Sequence, residues 1–314
     1  MAMTWEWPVA IDIWLAGLAG GAYFTAFLAD RFSGGKHKEW VRFAVYLGVP
    51  AALLGALILV MDLGQQLWAW HLFTRFRLVS PMSMGSWTLL VWSTIGVAMI
   101  ALWFAEVFPA EEKGPFGAIA SVLRPLVPVA DILSWVAFVL AALLIAYTGV
   151  LLSATNEALW GGALLLPALF VASAISTGIA ALLVVTSTGI GSFLRDLFGE
   201  VGEAPTAVAV VELFKANIVV IVIESVILTG YFLWLSAFST PDAALAAGLL
   251  ISGSLSPFFW IGVVFTGLLI PLGSGFIALR KPKPAIPLTV LLSALCVLFG
   301  GLVLRAVVVL GGQL

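Results

Sequence analysis

Apolar runs of about 20 residues recur from one end of this 314-residue chain to the other, each long enough to cross the roughly 30 Å hydrocarbon core of a bilayer as a helix. Eight spans can be read: 8–29, 43–62, 87–106, 129–152, 162–187, 207–236, 257–279 and 286–310. In lipid every backbone N–H and C=O must be satisfied within the segment, and strand alternation is absent, so helices are the spanning structure. Composition agrees. The protein is 62% hydrophobic and 10% charged, where a soluble domain carries about 25% charged residues. The fold class is therefore all-α integral membrane, with eight transmembrane helices in one polytopic domain, 1–314. The first run has no basic lead-in and is too long for a signal-peptide core, so it reads as a spanning helix. The sixth exceeds what a bilayer needs and should tilt or protrude. Segment 240–256 is too short and too rich in Gly and Ser to span, and is expected to be an interfacial helix with a loop.

Lysine and arginine set the orientation. The first, third, fifth and seventh connections carry Arg31, Lys36, Lys38, Arg42, Lys113, Arg124, Arg195, Arg280, Lys281 and Lys283, whereas the other side has only Arg75 and Arg77. Cytoplasmic loops are enriched in Lys and Arg. Both termini and the 62–86 connection are then extracytoplasmic, in the cytoplasmic (inner) membrane of a prokaryote.

Several partners and cofactors are excluded. The net charge is −2 and there is no basic block, so nucleic acid is a poor partner and membrane lipid the obvious one. The single cysteine, Cys296, cannot ligate an iron–sulfur cluster, which needs about four such ligands. The two histidines, His37 and His71, fall outside the apolar runs, so no haem is held between paired histidines. Metal centres, if electrons move through this protein, belong to another subunit.

The connection from Asp62 to Trp87 stands apart. It carries Asp62, His71, Arg75 and Arg77 among Trp68, Trp70, Phe73, Phe76 and Trp87. A simple connector would be short, with turn-forming residues. A long, amphipathic, aromatic segment is expected to pack against something, although each aromatic taken singly also suits interfacial anchoring.

Ionisable groups at bilayer depth cost about 2.5–3.5 kcal/mol on insertion scales, so each needs a reason. Asp12 sits in the outer part of the first span. Glu212 and Lys215 are three apart on one helix and can pair. Glu224 points away from Lys215 and takes a partner from another helix, as a hydrogen-bonded strut or a member of a proton path with Glu212 and Lys215. Arg305, in the outer half of the last span, should line the protein interior. Asp131 begins the fourth span, where the helix dipole favours a carboxylate. Tyr147 suits an interfacial belt, but Gly149 beside it leaves room for close approach. Small residues at helical spacing, such as Gly17, Gly20 and Gly21 and then Ser173, Thr177 and Ala181, are explained by close helix packing.

Four stretches, in sequence order, resemble the NrfD-like family of quinol-interacting membrane subunits, which includes the polysulfide reductase membrane subunit. They are Trp7–Gly21; Asp62–Trp87 with its Ser80-Pro81…Gly85-x-Trp87 ending; Tyr147-Thr148-Gly149 with Ala158-Leu159-Trp160; and Leu304–Gln313. The resemblance implies two packed four-helix bundles, one of them quinone-binding, with no haem and no iron–sulfur cluster in this protein. It further implies a ferredoxin-like iron–sulfur (4Fe–4S) subunit docked on the outer face and a catalytic subunit, molybdopterin or multihaem, beyond it. The family's quinone-binding tyrosine corresponds to Tyr147. The histidine expected on the first helix is replaced by Asp12, and a nearby asparagine by Val9.

The leading expectation is thus a haem-free subunit exchanging electrons between the quinone pool (menaquinone or ubiquinone) and an iron–sulfur partner, with proton translocation as an extension. Such a site needs an apolar slot, hydrogen-bonding groups at both ring oxygens and a titratable group. Asp12, Tyr147, Asp62, His71 and Arg305 can supply the polar part, and Trp14, Trp68 and Phe73 the walls. A secondary transporter or proton channel is the alternative, weakened by the lack of an evident internal repeat. A passive anchor would not need Asp12 or Arg305 within its spans.

Overall fold

The computed structural model describes residues 7–62, 66–74, 76–77, 79–108, 115–155, 157–199, 205–279 and 287–313. Arg75, Lys113, Arg280, Lys281 and Lys283, which entered the charge asymmetry, lie outside them. All regular structure among the described residues is helical. Helix α1 (Trp7–Phe32) and α2 (Lys38–Asp62) are followed by a short 3-10 helix, Gln66–Phe73, and then by α3 (Pro81–Val107). The short α4 (Pro115–Leu123) precedes α5 (Val129–Ser153) and α6 (Leu165–Ser187). Helices α7 (Ile190–Phe198), α8 (Ala207–Phe238) and α9 (Pro241–Ser252) come next. A π-wound stretch, Phe258–Leu269, runs into α10 (Ile270–Leu279), and α11 (Pro287–Gly311) ends the series. Eight helical segments are long and apolar enough to cross a membrane: α1, α2, α3, α5, α6, α8, the Phe258–Ala278 segment and α11. The protein is a multi-pass integral membrane protein, as the apolar runs required.

Two spans begin earlier than hydropathy suggested. Helix α3 starts at Pro81 rather than at 87, because Ser80 caps it, its side chain accepting from the Ser83 N–H, and proline at the first helical position forfeits no intrahelical hydrogen bond. Helix α2 starts at Lys38 rather than at 43. Its charged first turns are held in part by Arg42, which is buried and donates to Glu106 of α3 at 2.6 Å. At 1.5 Å per residue the 32 residues of α8 reach about 48 Å, well beyond the bilayer core. Residues 241–252 form the short helix expected of the non-spanning segment.

Helices α1, α2, α3 and α5 are neighbours in a closed circuit, each packing on the next and α5 returning to α1. Helix α6 packs on α8 and α11, and α11 on the π-wound stretch and α10, which in turn meets α8. Between these sets, α6 lies against α1 and α5, and α11 also touches α1. The α1–α6 crossing depends on glycine. A Cβ at Gly21 would lie 1.9 Å from the Ala174 carbonyl oxygen, and one at Gly178 would lie 2.2 Å from the Gly21 carbonyl carbon. Backbone-to-backbone contact of this kind is how membrane helices gain dispersion energy without a hydrophobic drive between them. Three aromatic side chains bind non-adjacent segments together: Tyr23 donates to the Ser134 carbonyl at 3.0 Å, Trp160 Nε1 to the Val308 carbonyl at 2.7 Å, and Tyr231 to the Leu159 carbonyl at 2.6 Å. The Ala158-Leu159-Trp160 stretch is thereby anchored to both α8 and α11.

Candidate functional site

Asp12 and Tyr147, far apart in sequence, come together at one end of the α1–α2–α3–α5 set. The up-and-down course of the backbone explains this. Asp12 lies near the start of α1 and Tyr147 near the end of α5, so antiparallel packing of the two helices brings them to a common depth. The Asp12 carboxylate is close enough to act electrostatically on the Tyr147 phenol. Two glycines admit these side chains. A Cβ at Gly55 of α2 would lie 2.7 Å from Asp12 Oδ1, and one at Gly85 of α3 would lie 2.3 Å from Tyr147 Cε2. The Tyr147 ring therefore rests against the backbone of α3, where any larger residue would displace it.

Asp12 is 5% exposed and its Oδ1 has no hydrogen-bond partner. Buried polar atoms are satisfied in the great majority of cases, so an orphan needs an explanation. Others lie on the same helices as these residues and their glycines: the indole N–H groups of Trp14 on α1 and of Trp87 on α3 are also buried and unpartnered. The Tyr147 hydroxyl donates to no described residue. An unpartnered acceptor on Asp12 and the Tyr147 hydroxyl close by give a ligand one polar group of each kind at this depth.

The aromatic connection folds back onto this end of the set. In the 3-10 helix, Trp68, Trp70 and His71 form a stack, with the His71 ring centre 3.9 Å from that of Trp70. Phe73 and Phe76 both meet Trp87 edge-on, at 6.2 and 5.8 Å. Trp68 and Trp70 each remain 56% exposed, and Phe73 38%. Asp62, at the end of α2, is exposed. Trp68, His71 and Asp62 are thus exposed at this end of the set, while Phe73 and Phe76, themselves partly exposed, contact Trp87 of α3.

Arg305 and Glu224 lie in a separate polar cluster within the α6–α8–α11 set. Arg305 is fully buried; its Nη1 donates to Ser173 Oγ at 3.1 Å and to the Gly301 carbonyl at 2.9 Å, and its guanidinium lies 5.5 Å from the Phe170 ring centre. Its Nη2 abuts Gly17 of α1. Glu224 is buried and accepts from Ser176 Oγ at 2.7 Å, with the Arg305 charge acting on it. Arg305 is thus in the interior as its sequence position required, but its partners are on α6 and α11 rather than Asp12 or Tyr147. Glu212 and Lys215 pair at 2.8 Å on the exposed side of α8, so the structure does not bring them to Glu224. Asp131 lies in the first turn of α5 and pairs with Arg31.

Reasoning from sequence did not single out Gly55, nor Ser176 as the partner of Glu224. Gly85 was visible only as part of a motif. A glycine opposite a functional side chain carries no chemical signal of its own, and helix partners are set by tertiary packing.

A family model described as "Polysulphide reductase, NrfD" matches residues 1–314. The sequence is 31% identical over 317 residues to the C subunit of polysulfide reductase from Wolinella succinogenes, with 99% of this protein and 95% of that one covered. It is 30% identical to Protein NrfD of Escherichia coli, with 100% and 96% of the two proteins covered. It is 28% identical to the Protein NrfD homolog of Haemophilus influenzae, with 86% and 82% covered.

Proposed function

The protein belongs to the polysulphide reductase NrfD family, and from that premise we propose that it is the membrane subunit of a respiratory oxidoreductase. It exchanges electrons between membrane quinone and an iron–sulfur partner subunit. The observation that carries the reading is the Asp12–Tyr147 cluster: a buried carboxylate with an unpartnered oxygen beside a phenol with no described acceptor, held between glycines.

These residues fit a quinone. The ring would take the Tyr147 hydroxyl as donor at one oxygen and have Asp12 near the other. When bound, the quinone supplies two-electron, two-proton chemistry. Tyr147 orients the ring by hydrogen bonding, and its own ring is kept in place by the α3 backbone at Gly85. Asp12 takes or returns the proton at its Oδ1. Phe73 and Phe76 pack on Trp87 of α3 at this end of the set.

The exposed Trp68–Trp70–His71 stack is the docking surface for a ferredoxin-like partner. Lying at the same end of the set as Asp12 and Tyr147, it would keep the electron path short. A catalytic subunit, molybdopterin or multihaem, lies beyond that partner. The protein sits in the cytoplasmic membrane with both termini and this face extracytoplasmic, in keeping with the positive-inside rule.

The test is Tyr147→Phe in the assembled complex, which keeps the ring and removes the donor. A buried group left without its partner costs about 1–3 kcal/mol, roughly 5- to 150-fold in affinity or rate. Quinol turnover should fall by that factor while artificial dyes still reach the catalytic subunit at the normal rate. Asp12→Asn should slow turnover more. Unchanged quinol kinetics in both variants would place the site elsewhere.

A further inference from the structure

At the end of α1, α2, α3 and α5 opposite Asp12 and Tyr147 a cavity opens, of about 260 Å³. Phe27, Val41 and Trp103 give it apolar walls, and charged residues from all four helices line the rest. The charges are not equally engaged. Asp131 is paired with Arg31, Glu106 with Arg42, and Asp30 Oδ1 accepts the His37 backbone N–H at 2.9 Å. Each carboxylate therefore already has a donor. Two cationic groups do not have a full set of partners. Arg42 is 4% exposed, yet its Nη1 has none. Lys38, also lining the cavity, makes no ion pair or hydrogen bond to a described residue.

Lys38 and Arg42 are four residues apart, hence on one face of α2. They lie at its N-terminal end, where the helix dipole is positive. Unspent donors at a helix N-terminus, beside carboxylates that are already engaged, favour an anion over a cation. The volume is several times that of one water, about 30 Å³ in the liquid, so the ligand is polyatomic. Basic pockets between membrane helices near the membrane surface suit lipid head groups. We propose that this cavity is a phosphate-binding site, clamped by Lys38 and Arg42, whose ligand is the head-group phosphate of an anionic phospholipid. The site is separate from the quinol reading and stands or falls without it.

The test uses the full-length protein in detergent, with bound mass read by native mass spectrometry. The probes are a short-chain phosphatidylglycerol, the matching diacylglycerol without phosphate, and inorganic phosphate. Wild type should retain one phosphatidylglycerol and no diacylglycerol. Lys38→Gln, which breaks no ion pair, should weaken retention about 10- to 100-fold, the usual effect of losing a hydrogen bond to a charged group. Arg42→Gln should do so more strongly. Displacement of the lipid by inorganic phosphate would support the clamp and assign its ligand to free phosphate. Equal retention of phosphatidylglycerol by wild type and Lys38→Gln, with no bound phosphate in either, would overturn the proposal.

Discussion

Replacing Gly85 by alanine changes neither charge nor hydrogen bonding, yet it should strike the proposed quinol site directly. The added Cβ would lie 2.3 Å from Tyr147 Cε2 and 2.4 Å from Cδ2. Carbon atoms rest at about 3.5 Å or more, so the ring must retreat by about 1.2 Å. Overpacking of this kind costs about 1–3 kcal/mol of stability, which a membrane protein with this much buried surface should survive. Catalysis is less tolerant, since a misplacement of about 1 Å can cost about 100-fold in rate. Gly85→Ala should therefore assemble, show a modestly lower thermal midpoint, and lose about 10- to 100-fold in quinol turnover measured against dye-linked activity of the same complex. Because the effect passes through the Tyr147 hydroxyl, Gly85→Ala added to Tyr147→Phe should slow turnover little beyond Tyr147→Phe alone; neighbours that share one interaction are not additive. Wild-type turnover in assembled Gly85→Ala complex would refute the reasoning, because Tyr147 would then not need its observed position.

Glu224→Leu removes the carboxylate whose charge acts on the buried Arg305 and leaves that charge without its counter-charge. Its thermal midpoint should drop sharply, and the double variant Glu224→Leu/Arg305→Met should recover most of the loss; a double variant as unstable as the single would deny the coupling. In the proposed partner interface, central aromatics should carry more affinity than rim charges, so Trp70→Ala should loosen the complex on co-purification more than Arg77→Ala. Absence of any cross-link from residues 66–73 to another subunit would contradict that assignment. Reporter fusions at residues 36 and 281 should read as cytoplasmic; an extracytoplasmic reading at both would invert the proposed orientation.

The spans were legible in the sequence because a bilayer leaves the backbone no choice: an uncharged run of about 20 residues must satisfy its own hydrogen bonds, and only a helix does so. Arg305 was placed inside for a related reason, since a guanidinium facing lipid is costly. Asp12 and Tyr147 could be marked as chemically capable, and their common depth followed from counting crossings. What the apolar pattern could not contain was which helix touches which. Between membrane helices, packing is decided by close fit at small residues rather than by an apolar stripe seeking a core, so hydropathy is nearly uniform around each helix. Only the tertiary structure sets Gly55 against Asp12 and Gly85 against Tyr147, gives Glu224 its Ser176 partner and leaves Glu212 and Lys215 outside. It also extends α2 through Lys38–Arg42, where hydropathy fades but the Arg42–Glu106 pair continues the helix. Bilayer crossings are a one-dimensional property that the sequence records; contacts between glycine and aromatic ring belong to three dimensions.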